Sequence, residues 1–228
     1  MANTYGIPTF GEANPAVVSI ITFPFLFGVM FGDIGHGLML LVGAGLVCQF
    51  GDQMLAQKSQ YLNVVVWMRY LLLLMGFFAT YMGLIYNDCM SIPLQLFGEG
   101  CYKVVPGQAQ MAKTDEHCIY PFGIDPSWMN AENDIAFYNS FKMKSAVILG
   151  VSHMLIGLGC KGLNAIHFDR KLDFFHEFVP QVMMLCSLFA FMNTLVVVKW
   201  TTDWSGREGM APTIIGIIID MFVNFGER

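Results

Sequence analysis

An apolar stretch from residue 16 to residue 50 constrains this chain more than any other feature of its sequence. It is interrupted only at residues 32–37, Gly-Asp-Ile-Gly-His-Gly. One continuous helix over the stretch would reach about 52 Å, well past the ~30 Å hydrocarbon core of a bilayer. It would also place three glycines and two ionisable side chains in mid-membrane. The stretch therefore predicts a hairpin of two short helices, over residues 16–31 and 38–50, that meet at the glycine turn.

The composition of the whole chain is typical of a membrane protein. Of its 228 residues, 55% are apolar and only 13% are charged, whereas a soluble domain carries about 25% charged residues. The mean hydropathy is +0.55. This composition excludes a disordered chain, a nucleic-acid binder and an ordinary cytosolic enzyme. The net charge of −5 adds little, because the positions of charges orient a membrane protein and their sum does not.

Three further apolar segments are long enough to cross a bilayer, and they cover residues 62–86, 145–166 and 179–198. A shorter apolar run at residues 212–223 would cover only about 18 Å, so we expect an interfacial helix there. The polar parts of the chain are a leading segment, two linkers, a long loop and a C-terminal region that contains the interfacial helix: residues 1–15, 51–61, 167–178, 87–144 and 199–228.

Together these segments predict an all-α, polytopic helical membrane protein. We expect about five transmembrane helices, a short hairpin plus three spans, and one C-terminal interfacial helix. A re-entrant hairpin with three spans stays open, because each arm of the hairpin is barely long enough to cross. The positions of Lys and Arg weakly favour a cytosolic N-terminus, cytosolic short linkers and a luminal long loop. The first eight residues have no basic region and no apolar core, so they are not a secretory signal peptide.

The six cysteines do not form a disulfide pattern. Three of them lie in apolar runs, where we expect buried free thiols: Cys48, Cys160 and Cys186. The other three, Cys89, Cys101 and Cys118, share the long loop. At most one pair can form there, and the sequence leaves open whether any pair does.

Asp33 and His36 stand three residues apart in the glycine turn. One interpretation is a proton relay or a packing pair, because ionisable groups inside a membrane are costly and tend to be kept for use. The other is a polar turn at the membrane surface, in which Asp33 caps the second helix and His36 bonds locally. A metal site is weakly supported, since no third ligand lies nearby.

Other ionisable side chains lie in or beside the later spans. Lys142 and Lys144 enter the span at residues 145–166 from the loop side, where the simplest role is to anchor it at the headgroups. His153 lies inside that span, and either proton handling or a hydrogen bond to a neighbouring helix would explain it. The candidate structural or proton-path residues are Asp33, His36, Lys142, Lys144 and His153. Arg69, near the start of its span, is a candidate membrane anchor.

Motifs that bind nucleotides or metals are absent from the sequence. It contains no phosphate-binding loop, no dinucleotide fingerprint, no Cys-x-x-Cys and no His-Glu-x-x-His. We therefore expect no ATP site, no cofactor, no metal centre and no catalytic residue on this chain.

Residues 21–37, Ile-Thr-Phe-Pro-Phe-Leu-Phe-Gly-Val-Met-Phe-Gly-Asp-Ile-Gly-His-Gly, closely resemble the first membrane segment of subunit a of the vacuolar-type proton ATPases. Further matches follow in the family's order, at residues 69–76, 83–88, 120–128, 139–144, 147–150, 153–154, 199–200, 211–212 and 221–222. The resemblance covers almost the whole chain from about residue 5, and this many collinear motifs make it highly specific.

The resemblance implies a non-catalytic stator subunit in the proton-translocating V0 sector of a rotary ATPase. Such a subunit lies beside the proteolipid c-ring and other V0 subunits in the bilayer of a vacuole, an endosome or another acidic organelle. It also implies that the long loop is luminal. The role implied for this chain is to anchor the stator and to brace the helices of the proton half-channels.

The family carries its rotor-facing arginine in later spans than those matched here, so no residue of this chain inherits that role. Arg69 matches a different family position. The resemblance implies either a segment, partnered by the remainder of subunit a, or a truncated homologue with a scaffold role in another membrane complex.

Overall fold

The computed structural model describes residues 11–14, 16–56, 60–103, 112–114, 117–130, 134–202 and 213–223. Its α-helices are α1 (Ala16–Phe31), α2 (Ile34–Leu55), α3 (Gln60–Trp67), α4 (Arg69–Tyr86), α5 (Asp134–His167), α6 (Lys171–Asp173), α7 (Val179–Leu185), α8 (Phe191–Thr201) and α9 (Ile214–Val223). Its strands are β1 (Asp88–Cys89), β2 (Ile92–Pro93), β3 (Tyr102–Lys103) and β4 (Ala112–Lys113). The described residues fall into two compact units: those between positions 16 and 146 form the first, and those at positions 11–14 and between positions 147 and 223 form the second.

The prediction of an all-α membrane protein is confirmed. Four helical segments are long and apolar enough to cross a bilayer: Ile34–Leu55, Arg69–Tyr86, Phe137–His167 and Lys171–Thr201. The apolar helix α1 is shorter, at 16 residues. Whether α1 and α2 cross the membrane or re-enter it remains a prediction.

Two helices, α2 and α5, extend beyond the bounds predicted from sequence. The second helix of the hairpin runs over Ile34–Leu55 and not only over residues 38–50, and its earlier start is explained by Asp33, which caps it. The helix α5 begins at Asp134, inside the predicted loop. Its first turns pack on that loop, with the Trp128 and Phe137 rings stacked 4.9 Å apart. The length of an apolar run cannot predict such a contact.

In the first unit, α4 packs directly against the backbones of α1 and α2. A methyl group at Gly37 would lie 2.5 Å from the Thr80 nitrogen, and one at Gly76 would lie 2.6 Å from the Leu41 nitrogen. Glycine at these positions therefore lets the helix axes come close enough for backbone contact. Where α1 packs on α4, three buried side chains form a core: Val29, Met82 and Tyr86.

The described part of the long loop has regular structure. It contains two antiparallel strand pairs, β1 with β2 and β3 with β4, and a 3-10 turn at Pro126–Asn130. Cys101 and Cys118 form a disulfide with a Cα–Cα distance of 5.7 Å, which resolves the pairing that the sequence left open. Cys89 stays free. The thiols of the apolar runs are also free, as predicted, but they are partly exposed in the isolated chain: Cys48, Cys160 and Cys186.

In the second unit, the predicted linker at residues 167–178 is mostly helical. A continuous helical segment covers Lys171–Thr201 and includes two π-helical turns, at Phe174–Phe178 and Cys186–Ala190. In the turn between α5 and this segment, Asp169 adopts a left-handed conformation with φ 51°. The helix α9 covers Ile214–Val223, within the run expected to be an interfacial helix, and its place relative to the membrane remains a prediction.

Candidate functional site at the hairpin turn

Asp33 is the N-cap of α2. Its backbone is extended (φ −155°, ψ 130°), and its Oδ1 accepts a hydrogen bond from the Gly35 N–H at 2.8 Å. Its carbonyl accepts from the Gly37 N–H at 2.9 Å. An anionic side chain at this position satisfies an amide that has no partner within the helix and interacts favourably with the positive end of the helix dipole.

The same carboxylate joins the turn to the long loop. Oδ1 also accepts from the Met90 N–H at 3.0 Å, and Oδ2 lies 2.6 Å from the Nδ1 of His36. Partial burial acts to raise the pKa of Asp33, but the hydrogen bonds from Met90, His36 and Gly35 outweigh it and leave the pKa below its ordinary value of 3.8. Asp33 is therefore ionised at neutral pH, with all its described contacts made as an acceptor.

The C-terminal end of α1 is capped by side chains of other helices. The Tyr86 hydroxyl of α4 donates to the Val29 carbonyl at 2.8 Å, and the Lys142 ammonium of α5 donates to the Gly32 carbonyl at 3.1 Å. Carbonyls at a helix end lack amide partners, and a cation there interacts favourably with the negative end of the dipole. The turn thus places a cation at the end of α1 and an anion at the start of α2.

Lys142 also has an anionic partner. Its Nζ lies 3.2 Å from Oδ2 of Asp88, and the two side chains are only 14% and 12% exposed. The ammonium also lies 5.0 Å from the centroid of the Tyr86 ring and 5.9 Å from that of Tyr138. A shielded ion pair between aromatic rings is sensitive to the loss of either partner, because a lone charge would remain in a poorly solvated place.

Asn87 connects the end of α4 to the loop. It adopts the left-handed conformation of a helix C-cap, with φ 53° and ψ 36°. Its Nδ2 donates to the carbonyls of Phe122 at 3.1 Å and Ile124 at 2.8 Å. Since Asn87 is fully buried, these two bonds fix where the loop begins.

A second buried carboxylate organises the loop near the disulfide. Asp125 is 7% exposed, and it accepts from the Cys101 N–H at 2.8 Å and from the Ser127 N–H at 2.9 Å. Its role is explained by these backbone bonds, which hold the disulfide-linked part of the loop against the 3-10 turn.

The structure brings three of the predicted site residues together at the turn: Asp33, His36 and Lys142. Lys144 lies two residues further along α5 and is partly buried. His153 belongs to the second unit and is also partly buried. Arg69, the candidate anchor, begins α4 with its guanidinium 4.9 Å from the centroid of the Tyr70 ring. Neither a proton-path role nor an anchoring role is tested by these positions.

Sequence reasoning did not predict Asp88 as a member of this site, nor Tyr86 and Asn87 as residues that bond the elements around it. A signal for them exists, because an Asn directly after an apolar helix is a common C-cap and a following Asp is available for pairing. Only the fold could show that Lys142, 54 residues away, is the partner of Asp88.

We call this cluster the hairpin joint, and it consists of Gly32, Asp33, His36, Asp88, Met90 and Lys142. Within the residues that the structure describes, no group of three or more His, Cys, Asp or Glu side chains could hold a metal ion. The hairpin joint instead links the ends of α1, α2 and α4 to the long loop and to α5. Its chemistry is that of helix capping and charge pairing.

The fold and the hairpin joint define a polytopic helical membrane protein whose helix ends are connected by a partly buried polar cluster. A comparison with known protein families identifies the family within this class of membrane proteins. The model of the V-type ATPase 116 kDa subunit family matches residues 1–228, and the chain belongs to this family.

Relatives from distant organisms agree with this assignment. The chain is 38% identical to the V-type proton ATPase subunit a of Schizosaccharomyces pombe, over 98% of this chain and 27% of the relative. It is 41% identical to the V-type proton ATPase 116 kDa subunit a 1 of Gallus gallus, over 100% and 30%. It is also 41% identical to the vacuolar proton translocating ATPase 100 kDa subunit of Dictyostelium discoideum, over 99% and 28%. The chain thus spans less than a third of the length of these relatives.

Proposed function

We propose that this chain is part of the membrane stator of a rotary V-type ATPase, within its proton-translocating V0 sector and beside the proteolipid c-ring. The observation that carries the proposal is the family match over residues 1–228. The relatives' names, proton ATPase subunit a, indicate the kind of machine in which such a chain works. The chain itself supplies no ATP site and acts as a non-catalytic subunit.

Within that machine, the proposed role of the chain is to anchor and brace the helices that line the proton half-channels. A stator must keep its helices in place while a ring turns against it. The hairpin joint holds the ends of several helices together, as this role requires. The Asp33 carboxylate makes three hydrogen bonds to two segments, α2 and the long loop, and Lys142 bonds both the end of α1 and Asp88. Because these polar groups are engaged in holding helix ends, they support a structural role better than proton transfer.

The hairpin joint is proposed to face the lumen of an acidic organelle. Disulfides persist in oxidising compartments and are rare in the cytosol, so the Cys101–Cys118 bond favours a luminal loop. Met90, at the start of that loop, donates to Asp33 of the turn, and Asp88 beside it pairs with Lys142, which donates to the Gly32 carbonyl. The turn therefore shares the side of the membrane on which the loop lies. The exposed apolar side chains of α1 and α2 are proposed to face lipid or neighbouring V0 subunits.

The proposal is tested by purifying the tagged chain from its native membranes in a mild detergent and identifying the proteins that accompany it. We expect proteolipid and ATPase subunits in near-stoichiometric amounts, and an unrelated membrane protein with the same tag serves as the control. Recovery of the chain with other membrane proteins, but without proteolipid or ATPase subunits, would overturn the proposal. That result would support a scaffold role in another complex.

A further inference from the structure

We propose that the first unit binds a buried water molecule where the start of the long loop meets the first turns of α5. The water is held by the Tyr138 hydroxyl, by Oδ1 of Asn87 and by a carboxylate oxygen of Asp88 or Asp125. The inference follows from hydrogen-bonding chemistry inside this chain. It depends neither on the function proposed above nor on the side of the membrane on which the loop lies.

Two buried oxygens of the first unit have no hydrogen-bond partner among the residues that the structure describes: the Tyr138 hydroxyl and Oδ1 of Asn87. Tyr138 is 5% exposed, and Asn87 is fully buried. A buried polar group without a partner destabilises a protein, and nearly all such groups in folded proteins have a protein or water partner. Because this chain itself covers both oxygens, a neighbouring subunit cannot reach them to supply that partner.

The neighbours of the two oxygens place them in the same part of the first unit. Asn87 directly precedes Asp88, and its Nδ2 donates to the carbonyl of Ile124, which directly precedes Asp125. The carboxylates of Asp88 and Asp125 are also the two that act electrostatically on the Tyr138 hydroxyl. Tyr138 and Asn87 therefore share the same two acidic neighbours.

The charges at this place already have protein partners. The Lys142 ammonium, one turn after Tyr138 on α5, lies 3.2 Å from Oδ2 of Asp88 and 5.9 Å from the centroid of the Tyr138 ring. Oδ1 of Asp88 accepts from the Ser91 N–H at 3.0 Å, and Asp125 accepts from two backbone N–H groups of the loop. The two groups that still need a partner are neutral, so hydrogen bonding and not charge selects the ligand.

Water has the donors and the acceptor that this place requires. The Tyr138 hydroxyl can donate, whereas Oδ1 of Asn87 can only accept, and the two bonds from Nδ2 to carbonyls fix the orientation of that amide. A water accepts from the hydroxyl and donates twice, to Oδ1 and to a remaining lone pair of Asp88 or Asp125. About three bonds of this kind are usual for a buried water, whereas a metal cation donates none.

Such a water has a structural consequence for the first unit. It connects Asn87, the C-cap of α4, to Tyr138 in the first turns of α5, next to the ion pair of Lys142 and Asp88. The Tyr138 hydroxyl then contributes to stability although it bonds no protein acceptor among the described residues.

Tyr138→Phe tests the site through the thermal midpoint of the chain, purified in a mild detergent with its associated proteins. If the hydroxyl holds a water, its removal should lower the midpoint by about 2–4 °C, whereas removal of a hydroxyl without any partner should raise it. Tyr86→Phe is the matched control, because the Tyr86 hydroxyl donates directly to the Val29 carbonyl at 2.8 Å and its loss should also lower the midpoint. An unchanged or raised midpoint in Tyr138→Phe would overturn the proposal.

The direct readout is a density map of the same preparation, at a resolution at which ordered waters are visible. We expect a peak within hydrogen-bond distance of the Tyr138 hydroxyl and of Oδ1 of Asn87. The peak should be weaker or absent in Tyr138→Phe and present in Tyr86→Phe. A Tyr138 hydroxyl that bonds a carboxylate directly would overturn the proposal. So would a peak that grows stronger when caesium replaces the cations of the buffer, because that result would identify a bound cation.

Discussion

The Lys142 ammonium donates to the Gly32 carbonyl at 3.1 Å, so that a side chain of α5 caps the end of α1. The next residue, Asp33, caps the start of α2. A cation and an anion therefore stand at the helix ends whose dipoles favour them. Helix capping accounts for the positions of Asp33 and Lys142, which supports the structural role proposed above.

Removal of the Asp33 carboxylate should destabilise the protein. Asp33→Ala leaves the N–H groups of Gly35 and Met90 without their acceptor, and the loss of an N-cap alone costs about 0.5–2 kcal/mol. We expect a lower thermal midpoint in detergent and less chain in membranes. Asp52→Ala is the matched control, since Asp52 is an exposed acid of the same helix. An equal loss of stability in both variants would show that the cap has no special role.

The ion pair of Lys142 and Asp88 should show strong coupling. Lys142→Met leaves a carboxylate unpaired in a shielded place, and we expect a loss of about 2–4 kcal/mol, judged from the shift of the thermal midpoint. The double variant Lys142→Met with Asp88→Asn removes the uncompensated charge and should recover a large part of that loss. Additive losses in the double variant would contradict the pairing.

Because α2 and α4 pack backbone to backbone, we expect alanine substitutions at two glycines of α2 to have very different effects on stability. At Gly37 a methyl group would meet the Thr80 nitrogen at 2.5 Å, whereas at Gly43 nothing lies within 4 Å. Gly37→Ala should therefore lower stability by about 1–3 kcal/mol. Gly43→Ala should be neutral or stabilising, because alanine is the better helix former. Similar thermal midpoints for the two variants would contradict the packing of α2 on α4.

The sidedness of the long loop can be read from the labelling of lysines. Lys103 is exposed in the loop, and Lys171, 79% exposed, lies in the predicted cytosolic linker. An impermeant amine reagent applied to sealed vesicles with their cytosolic face outward should modify Lys171 at once. It should modify Lys103 only after the vesicles are opened. Modification of Lys103 in closed vesicles would place the loop on the cytosolic side.

The sequence predicted the hairpin well, because local rules decide it. The length of the apolar run predicted a first helix over residues 16–31, and in the structure this helix covers Ala16–Phe31. The cluster of three glycines with Asp33 located the turn, and capping by Asp33 was one of the two interpretations considered. These features depend on neighbouring residues, so a single sequence contains the information for them.

The rest of the hairpin joint depends on tertiary contacts. Asp88 and Lys142 are 54 residues apart. From the sequence alone, each is indistinguishable from an ordinary charged residue near a membrane surface. The early start of α5 at Asp134 depends on the stacking of Phe137 on Trp128, and the choice of Cys118 as the partner of Cys101 depends on how the loop folds. Such pairings between distant residues leave no periodic pattern in the chain.

The most direct measurement is the rate of ATP-driven acidification per assembled complex in membranes that carry Asp33→Ala or Lys142→Met. If the hairpin joint braces the stator, both variants reduce the amount of assembled complex, while each complex that forms acidifies at close to the wild-type rate. Normal amounts of assembled complex with acidification selectively lost would contradict the structural role and place Asp33 or Lys142 in the proton path.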